Sequence, residues 1–304
     1  MLRDKVRIAT VNYPQERVSS WEDFAERVTY WVALASDYAS DFVCLPEFLT
    51  LQLLSLEKKK LIGRKAVEAL DKYSEPFYAL MSDLASTHQI HIIAGTHLSS
   101  NAKGETENVS HIFLKDGSHH RRGKVHITPS EKRAWGVEGW DDNEPIETDF
   151  GLIAVMVCYD SEFPELSRRL VDKGARILFV PFCTDDEAGY LRVRICSHAR
   201  AIENQCYVVL SGNVGQLKGV FNMDGQYAQS CILTPCDLAC AAVPGKLCDQ
   251  SLPNLIDDMR KVCPLGIEAK AHRLLRSARP DHAPDDRIPI QSFNLDHQGH
   301  IPGR

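Results

Sequence analysis

Three residues in this sequence combine a reactive side chain with an informative position. Cys158 follows the apolar run 152–157 and precedes the turn Tyr159-Asp160-Ser161-Glu162 and a helix expected over 163–172. A side chain on a sharp strand-to-helix turn is held out where a substrate reaches it, as at a nucleophile elbow. The adjoining helix N-terminus would favour a thiolate there. A buried core cysteine is the competing reading, and it suits most of the other nine cysteines. Glu47 stands just after the unbroken apolar run 42–45. A carboxylate at that place must be paired, solvated in a cleft or used; a capping loop residue is the plainer alternative. Lys124 lies in the basic run Arg121-Arg122-Gly123-Lys124-Val125-His126. That run reads either as a solvated turn or as an ammonium directed into a cleft, where it holds carboxylates or stabilises developing negative charge. It lacks the GxxxxGK[ST] pattern of a phosphate-binding loop. His119, His120 and His126 lack the HExxH form, so no metal is expected.

Elements must hold these residues. Residues 5–12 alternate and are rich in Val and Ile, which predicts a first strand ended by Pro14. Ser20 caps a helix in which Phe24, Val28, Trp31, Val32 and Ala35 recur at helical spacing. Further strands are expected at 42–45, 90–95, 109–114, 152–157, 175–182 and 207–210, with helices at 76–86, 163–172 and 191–205. Gly212-Asn213-Val214-Gly215 reads as a loop. From about residue 243 prolines recur and strands are hard to find. A helix over 257–277, interrupted by Pro264-Leu265-Gly266, and a tail over 278–304 are expected there. Buried-type strands alternating with helices argue an α/β layered fold with helices outside.

Composition narrows the class. The chain has 304 residues, 35 Lys plus Arg against 41 Asp plus Glu, a net charge of −6, and 44% hydrophobic residues. These values exclude general disorder, and the mild negative charge argues against broad nucleic-acid binding. The ten cysteines contain no CxxC pair; Cys236 and Cys240, flanked by Cys231 and Cys248, are the nearest approach to a zinc set, and structural zinc is disfavoured. The first residues lead into no long apolar region, and no apolar run reaches membrane-spanning length. The expectation is a cytoplasmic protein with reduced thiols and neither cofactor, metal, nucleic-acid nor membrane partner.

The ordered segments Asp41-Phe42-Val43-Cys44-Leu45-Pro46-Glu47-Phe48, Arg122-Gly123-Lys124-Val125-His126-Ile127-Thr128-Pro129-Ser130-Glu131 and Val157-Cys158-Tyr159-Asp160-Ser161-Glu162-Phe163-Pro164-Glu165-Leu166-Ser167-Arg168 resemble the carbon–nitrogen hydrolases of the nitrilase superfamily. The stretch 199–209 and the Gly212 to Gly215 segment support the likeness, which covers roughly residues 5 to 240. The resemblance implies a four-layer α-β-β-α sandwich, with 1–245 as the hydrolase core and 246–304 as a divergent extension packed on it. It implies a homodimer paired through helices, or a higher homo-oligomer. It assigns Glu47 as general base, Lys124 as oxyanion stabiliser beside the backbone N–H of Tyr159, and Cys158 as nucleophile. Glu131 would position Lys124, and Glu203 would be structural. The implied reaction is thiol-dependent hydrolysis of a non-peptide carbon–nitrogen bond in a small linear amide, through a Cys acyl-enzyme, to a carboxylic acid plus ammonia or an amine. Tyr159-Asp160 stands where true nitrilases commonly carry Trp-Glu, which favours the amidase and carbamoylase branches. A nitrilase, an N-carbamoyl amidohydrolase and a non-catalytic interaction protein are the alternatives. Glu162 stands where some relatives acting on free acids carry Arg. It favours a cationic or neutral substrate if it faces the pocket; a surface salt bridge is the other reading.

Overall fold

The computed structural model describes residues 5–141, 143–235 and 290–296. The first half runs β1 (Lys5–Gln15), α1 (Trp21–Asp37), β2 (Phe42–Leu45), a 3-10 stretch (Leu49–Leu56), α2 (Arg64–Asp71), α3 (Ser74–Thr87), β3 (His91–Ser100), β4 (Thr106–Phe113) and β5 (His119–Gly123). The second half runs α4 (Pro129–Trp135), β6 (Ile146–Thr148), β7 (Gly151–Val155), a 3-10 turn (Cys158–Glu162), α5 (Pro164–Asp172), β8 (Ile177–Phe182), α6 (Glu187–Asn204), β9 (Tyr207–Gly215) and β10 (Cys231–Leu233). β11 (Ile290–Asp296) follows. Among the described residues the strand order is β5-β4-β3-β2-β1-β9-β8-β7-β6, with β10 on β9 and β11 on β1. The α/β class expected from the sequence is the one observed.

β1 links the halves. Its Ile8 to Thr10 pair in parallel with β2, and its Asn12 to Gln15 pair in parallel with β9. Successive residues of a strand point to opposite faces, and the burial follows that rule. Ile8, Phe42, Cys44 and Ile93 pack in a cluster with the strands β7 to β9 and with α5 and α6. Ala9, Val11, Val43, Leu45, Ile92 and Ala94 pack in a second cluster with α1, α2 and α3. Helix α1 begins where the sequence marks it: the Ser20 hydroxyl accepts the Asp23 N–H at 3.2 Å, and Phe24, Val28, Trp31, Val32 and Ala35 are buried.

Three local expectations are corrected. β1 passes through Pro14, because the Pro14 carbonyl accepts the Gln52 amide and therefore faces away from β9. The missing N–H points the same way and costs no ladder bond. Gly212 to Gly215 is strand, paired with β1, rather than loop. Gly212 is there for close approach: a Cβ would lie 2.4 Å from the Phe182 ring and 2.5 Å from Ala228. The tail contains a strand, β11, antiparallel to β1 from Lys5 to Val11. Its partner lies at the other end of the chain, so no local window announces it. The boundary at 245, the helix over 257–277 and the late cysteines lie outside the described residues. Among those described, no helix is long and apolar enough to cross a membrane.

Candidate active site

Glu47 stands two residues beyond β2, and its backbone is fixed from several sides. Asn213 donates its side-chain amide to the Glu47 carbonyl at 2.6 Å. Phe48 adopts a left-handed φ of 60°, its N–H donating to the Thr96 hydroxyl at 2.8 Å. Gly95, at φ +63°, makes room for this bend, since a Cβ there would sit 1.9 Å from the Pro46 carbonyl oxygen.

Lys124 leaves the end of β5 with its backbone N–H on the Asn108 carbonyl at 2.9 Å. The basic run before it is strand rather than solvated turn, and the Lys124 side chain is 1% exposed. Its Nζ donates to Glu47 Oε1 at 2.8 Å and to Glu131 Oε2 at 2.6 Å. Glu131 is set by the start of α4. The Thr128 hydroxyl accepts the Glu131 N–H, and Glu131 Oε2 accepts the Thr128 N–H at 3.1 Å, a reciprocal cap.

Cys158 opens its 3-10 turn with φ +48°, a strained value for a residue with a Cβ. Its thiol donates to the Cys183 carbonyl at 3.8 Å and shares the cavity with Glu47 and Lys124. Asp160, fully buried, ties this turn to the lysine loop by accepting the N–H groups of Val157 at 3.0 Å and His126 at 2.8 Å. Arg200 donates to the Ser161 carbonyl at 3.0 Å and pairs with Glu203 at 2.6 Å, so Glu203 supports the turn from behind.

The four residues singled out in the sequence thus meet in one cavity of about 240 Å³, with Tyr159 and Glu162 also on its wall. Glu162 meets both of its readings, since it lines the cavity and lies 3.5 Å from Arg192. Sequence reasoning missed Asn108. Its single amide nitrogen donates to Glu47 Oε1 and to Glu131 Oε1, each at 2.9 Å, and so bridges the two carboxylates. The available signal was a polar residue directly before the strand expected over 109–114. It also missed Cys183 and Asn213, which reach the site across the sheet.

Electrostatics separates the two carboxylates. Burial pushes the Glu47 carboxyl up to about 7; Lys124 opposes this and Glu131 reinforces it. Burial also works against a charged Glu131, but Lys124, the Thr128 hydroxyl and the Asn108 amide outweigh it and hold that carboxyl below its usual range. Burial disfavours the Lys124 ammonium, yet Glu131 and Glu47 outweigh burial and keep it charged. The Cys158 thiol is pushed well up by burial and by Glu47. The thiolate expected from the helix N-terminus is therefore not the resting form: burial and the Glu47 carboxylate outweigh Lys124. The arrangement pairs a neutral thiol with a base poised near neutrality, beside a fixed cation. Among the described residues no group of three or more His, Cys, Asp or Glu is placed to hold a metal.

Comparison with known proteins places this geometry. The family model described as Carbon-nitrogen hydrolase matches residues 7–236. The chain is 46% identical over 233 residues to "Probable hydrolase YhcX" of Bacillus subtilis, covering 76% of this chain and 45% of that protein. It is 34% identical over 124 residues to "Deaminated glutathione amidase" of Bos taurus, covering 40% of this chain and 37% of that protein. The chain thus spans less than half the length of these two relatives. Among solved structures, Saccharomyces cerevisiae Nit3, a member of branch 10 of the nitrilase superfamily, aligns with a TM-score of 0.63 at 22% identity, over 87% of this chain and 96% of that one. A carbon-nitrogen hydrolase from Helicobacter pylori aligns with a TM-score of 0.62 at 24% identity, over 76% and 82%. These two likenesses show a shared fold.

Proposed function

Because this chain belongs to the carbon–nitrogen hydrolase family, we propose that it hydrolyses a non-peptide carbon–nitrogen bond of a small linear amide through a cysteine acyl-enzyme. Glu47 takes the Cys158 proton as the sulfur attacks the carbonyl carbon. An amide is a poor electrophile, and splitting its hydrolysis into two covalent steps lowers each barrier. The oxyanion forms beside the Lys124 ammonium and the Tyr159 N–H, charge meeting charge where solvent is excluded. Protonated Glu47 returns its proton to the departing nitrogen, so ammonia or an amine leaves and a thioester remains. Glu47 then deprotonates the water that releases the carboxylic acid. Glu131 keeps Lys124 charged and aimed, and Asn108 holds the two carboxylates apart. Glu162 and Tyr159 meet the substrate on the cavity wall.

The observation that carries this reading is the burial of Glu47, Lys124 and Cys158 around one cavity, with the Lys124 ammonium on the Glu47 carboxylate at 2.8 Å. Tyr159-Asp160 after the nucleophile, and relatives named as amidases, support amides over nitriles. A free thiol suits a reducing compartment, which supports a cytoplasmic setting. The outer face of α6 exposes Leu191, Ile195 and Ile202, and this supports assembly as a homodimer through that helix.

The test is a screen of small amides for ammonia release, with intact mass on acid-quenched enzyme. An acyl adduct localised to Cys158, and loss of at least about a thousandfold in kcat in Cys158→Ala, are the expected results. Unimpaired ammonia release by that variant would refute the nucleophile.

A further inference from the structure

Asn108 sits in β4, 1% exposed, opposite Leu98 of β3. Its backbone carbonyl accepts the Lys124 N–H, and its side-chain nitrogen donates to Glu47 Oε1 and to Glu131 Oε1. One residue thus touches Glu47, Lys124 and Glu131. Both contacts of its amide are carboxylate oxygens, so the atom between them is the nitrogen, with one N–H for each acid. The amide oxygen is buried and accepts no hydrogen bond among the described residues. An unmade bond of that kind destabilises a fold, and such departures gather at functional sites.

The two acids meet unequal surroundings. Glu131 is engaged on both oxygens, Oε2 by Lys124 and by the Thr128 N–H and hydroxyl, Oε1 by Asn108. Glu47 is engaged on one. Its Oε1 accepts from Lys124 at 2.8 Å and from Asn108 at 2.9 Å, and Oε2 accepts from neither. Two carboxylates gathered around one nitrogen resemble a dyad that shares a proton, because like charges in a confined site resist joint ionisation. An amide N–H group between them blocks that exchange: it donates to both acids and takes a proton from neither. A proton arriving on Glu47 therefore finds Oε1 closed by two donors and Oε2 open.

We propose that Asn108 is a positioning residue that confines the catalytic proton to Glu47 Oε2, by capping Oε1 and by parting Glu47 from Glu131 with a group that carries no exchangeable charge. This rests on the reading above in which Glu47 is the base for Cys158. The titratable groups around Glu47 are Lys124 from the end of β5, Glu131 from α4, Cys158 from its 3-10 turn and Cys183 beyond β8. Lys124 spends two of its three N–H groups on the acids. With the amide supplying the further donors that the acids need, the third stays for the oxyanion.

Alkylation of Cys158 by iodoacetamide, mapped by peptide mass across pH, reads proton transfer to Glu47 without a substrate. The rate should rise through about pH 7 in the wild type. In Asn108→Leu, which is similar in volume but lacks the donor, the rise should move up by about one pH unit or more, because the carboxylate has lost a hydrogen bond. The rate then falls about tenfold at pH 6 and returns to within about threefold of wild type at pH 9. Asn108→Asp keeps the shape but replaces the nitrogen with oxygen, so its rise should move at least as far; it decides the matter if Asn108→Leu does not fold. For a neutral amide, kcat/KM should follow the same shift, with KM little changed. A rise that stays in place in a variant of wild-type Tm overturns the proposal, as does a loss of equal size at every pH. A shifted rise in an enzyme that releases ammonia from no amide of a wide panel keeps the assignment of the proton and removes the amidohydrolase reading.

Discussion

Glu47 and Glu131 share one ammonium and one amide, yet their protonation diverges. Glu131 has the Thr128 hydroxyl and N–H in addition, at 2.7 and 3.1 Å, and these belong to the cap of a helix. Among the described residues the Glu47 carboxylate accepts only from Asn108 and Lys124. One carboxylate is thereby fixed as a permanent anion and the other left to exchange a proton near neutrality. The sign of the pH dependence follows. Below about 7 Glu47 carries a proton and cannot accept one from Cys158, so kcat/KM for a neutral amide should fall as pH is lowered through that value. Glu47→Gln should lose about 10²- to 10⁴-fold in kcat together with that limb. A profile of ammonia release that stays flat from about pH 5.5 to 8 in the wild type would contradict Glu47 as the base. Glu47, Lys124, Glu131 and Cys158 were readable from the sequence because each combines a reactive type with a motif of ordered spacing. Asn108 was not. An amide that bridges two acids is a property of what lies across the sheet, and the local residue type does not carry it.

At the level of the elements, the site depends on β3 as much as on the loops that bear its reactive groups. The β3–β4 register shifts between Ile93 and Thr96, and Gly95 in that irregular stretch lies against the Pro46 carbonyl. Gly95→Ala must displace the bend that presents Glu47. It should destabilise the protein by about 1–3 kcal/mol, as overpacking does, and reduce kcat further than thermal melting alone explains. A variant with wild-type Tm and turnover would show that the bend relaxes freely. β3 and β4 also bury histidines away from the cavity. His97 lies between the Thr50 and Ser74 hydroxyls, each at 2.8 Å, and His111 pairs with His119 at 2.9 Å. Burial lowers His97 to about 4 and His111 to about 2. The unfolded chain binds these protons from about pH 6.5 downward, and the folded chain does not, so stability is lost as pH falls below that value. At pH 5 each histidine should contribute about 2 kcal/mol of loss. Urea unfolding at pH 7 and 5 should reveal it, with a smaller drop in His97→Gln; equal midpoints at both pH values would show that these rings are protonated in the folded protein. The sequence marked β3 as a strand over 90–95 but gave little sign of its length, since Thr96 and His97, next after Gly95, are polar and buried through hydrogen bonds rather than through hydrophobic pattern.

For the whole molecule, alternation of buried strands with helices was enough to state the α/β class, because each element's pattern is local. What joins the halves was hidden, since the pairing of β1 with β9 crosses about 200 residues, and Gly212 to Gly215 looked like a loop for want of its partner. The homodimer is testable at this scale. Leu191, Ile195 and Ile202 fall on one side of α6 and are 41, 63 and 38% exposed. Light scattering should give a dimer for the wild type and a monomer for Ile195→Glu, while a monomeric wild type would contradict the assembly. β11 has a different consequence. The strand that flanks β1 is synthesised about 280 positions after it. At ordinary ribosomal speeds, roughly 15 to 60 s separate the two. Throughout translation the emerging polypeptide carries an open hydrogen-bonding margin at Lys5 to Val11, the kind of surface that neighbouring nascent chains can pair with and that holdase chaperones shield. Premature stop codons upstream of Ile290 leave that margin permanently bare.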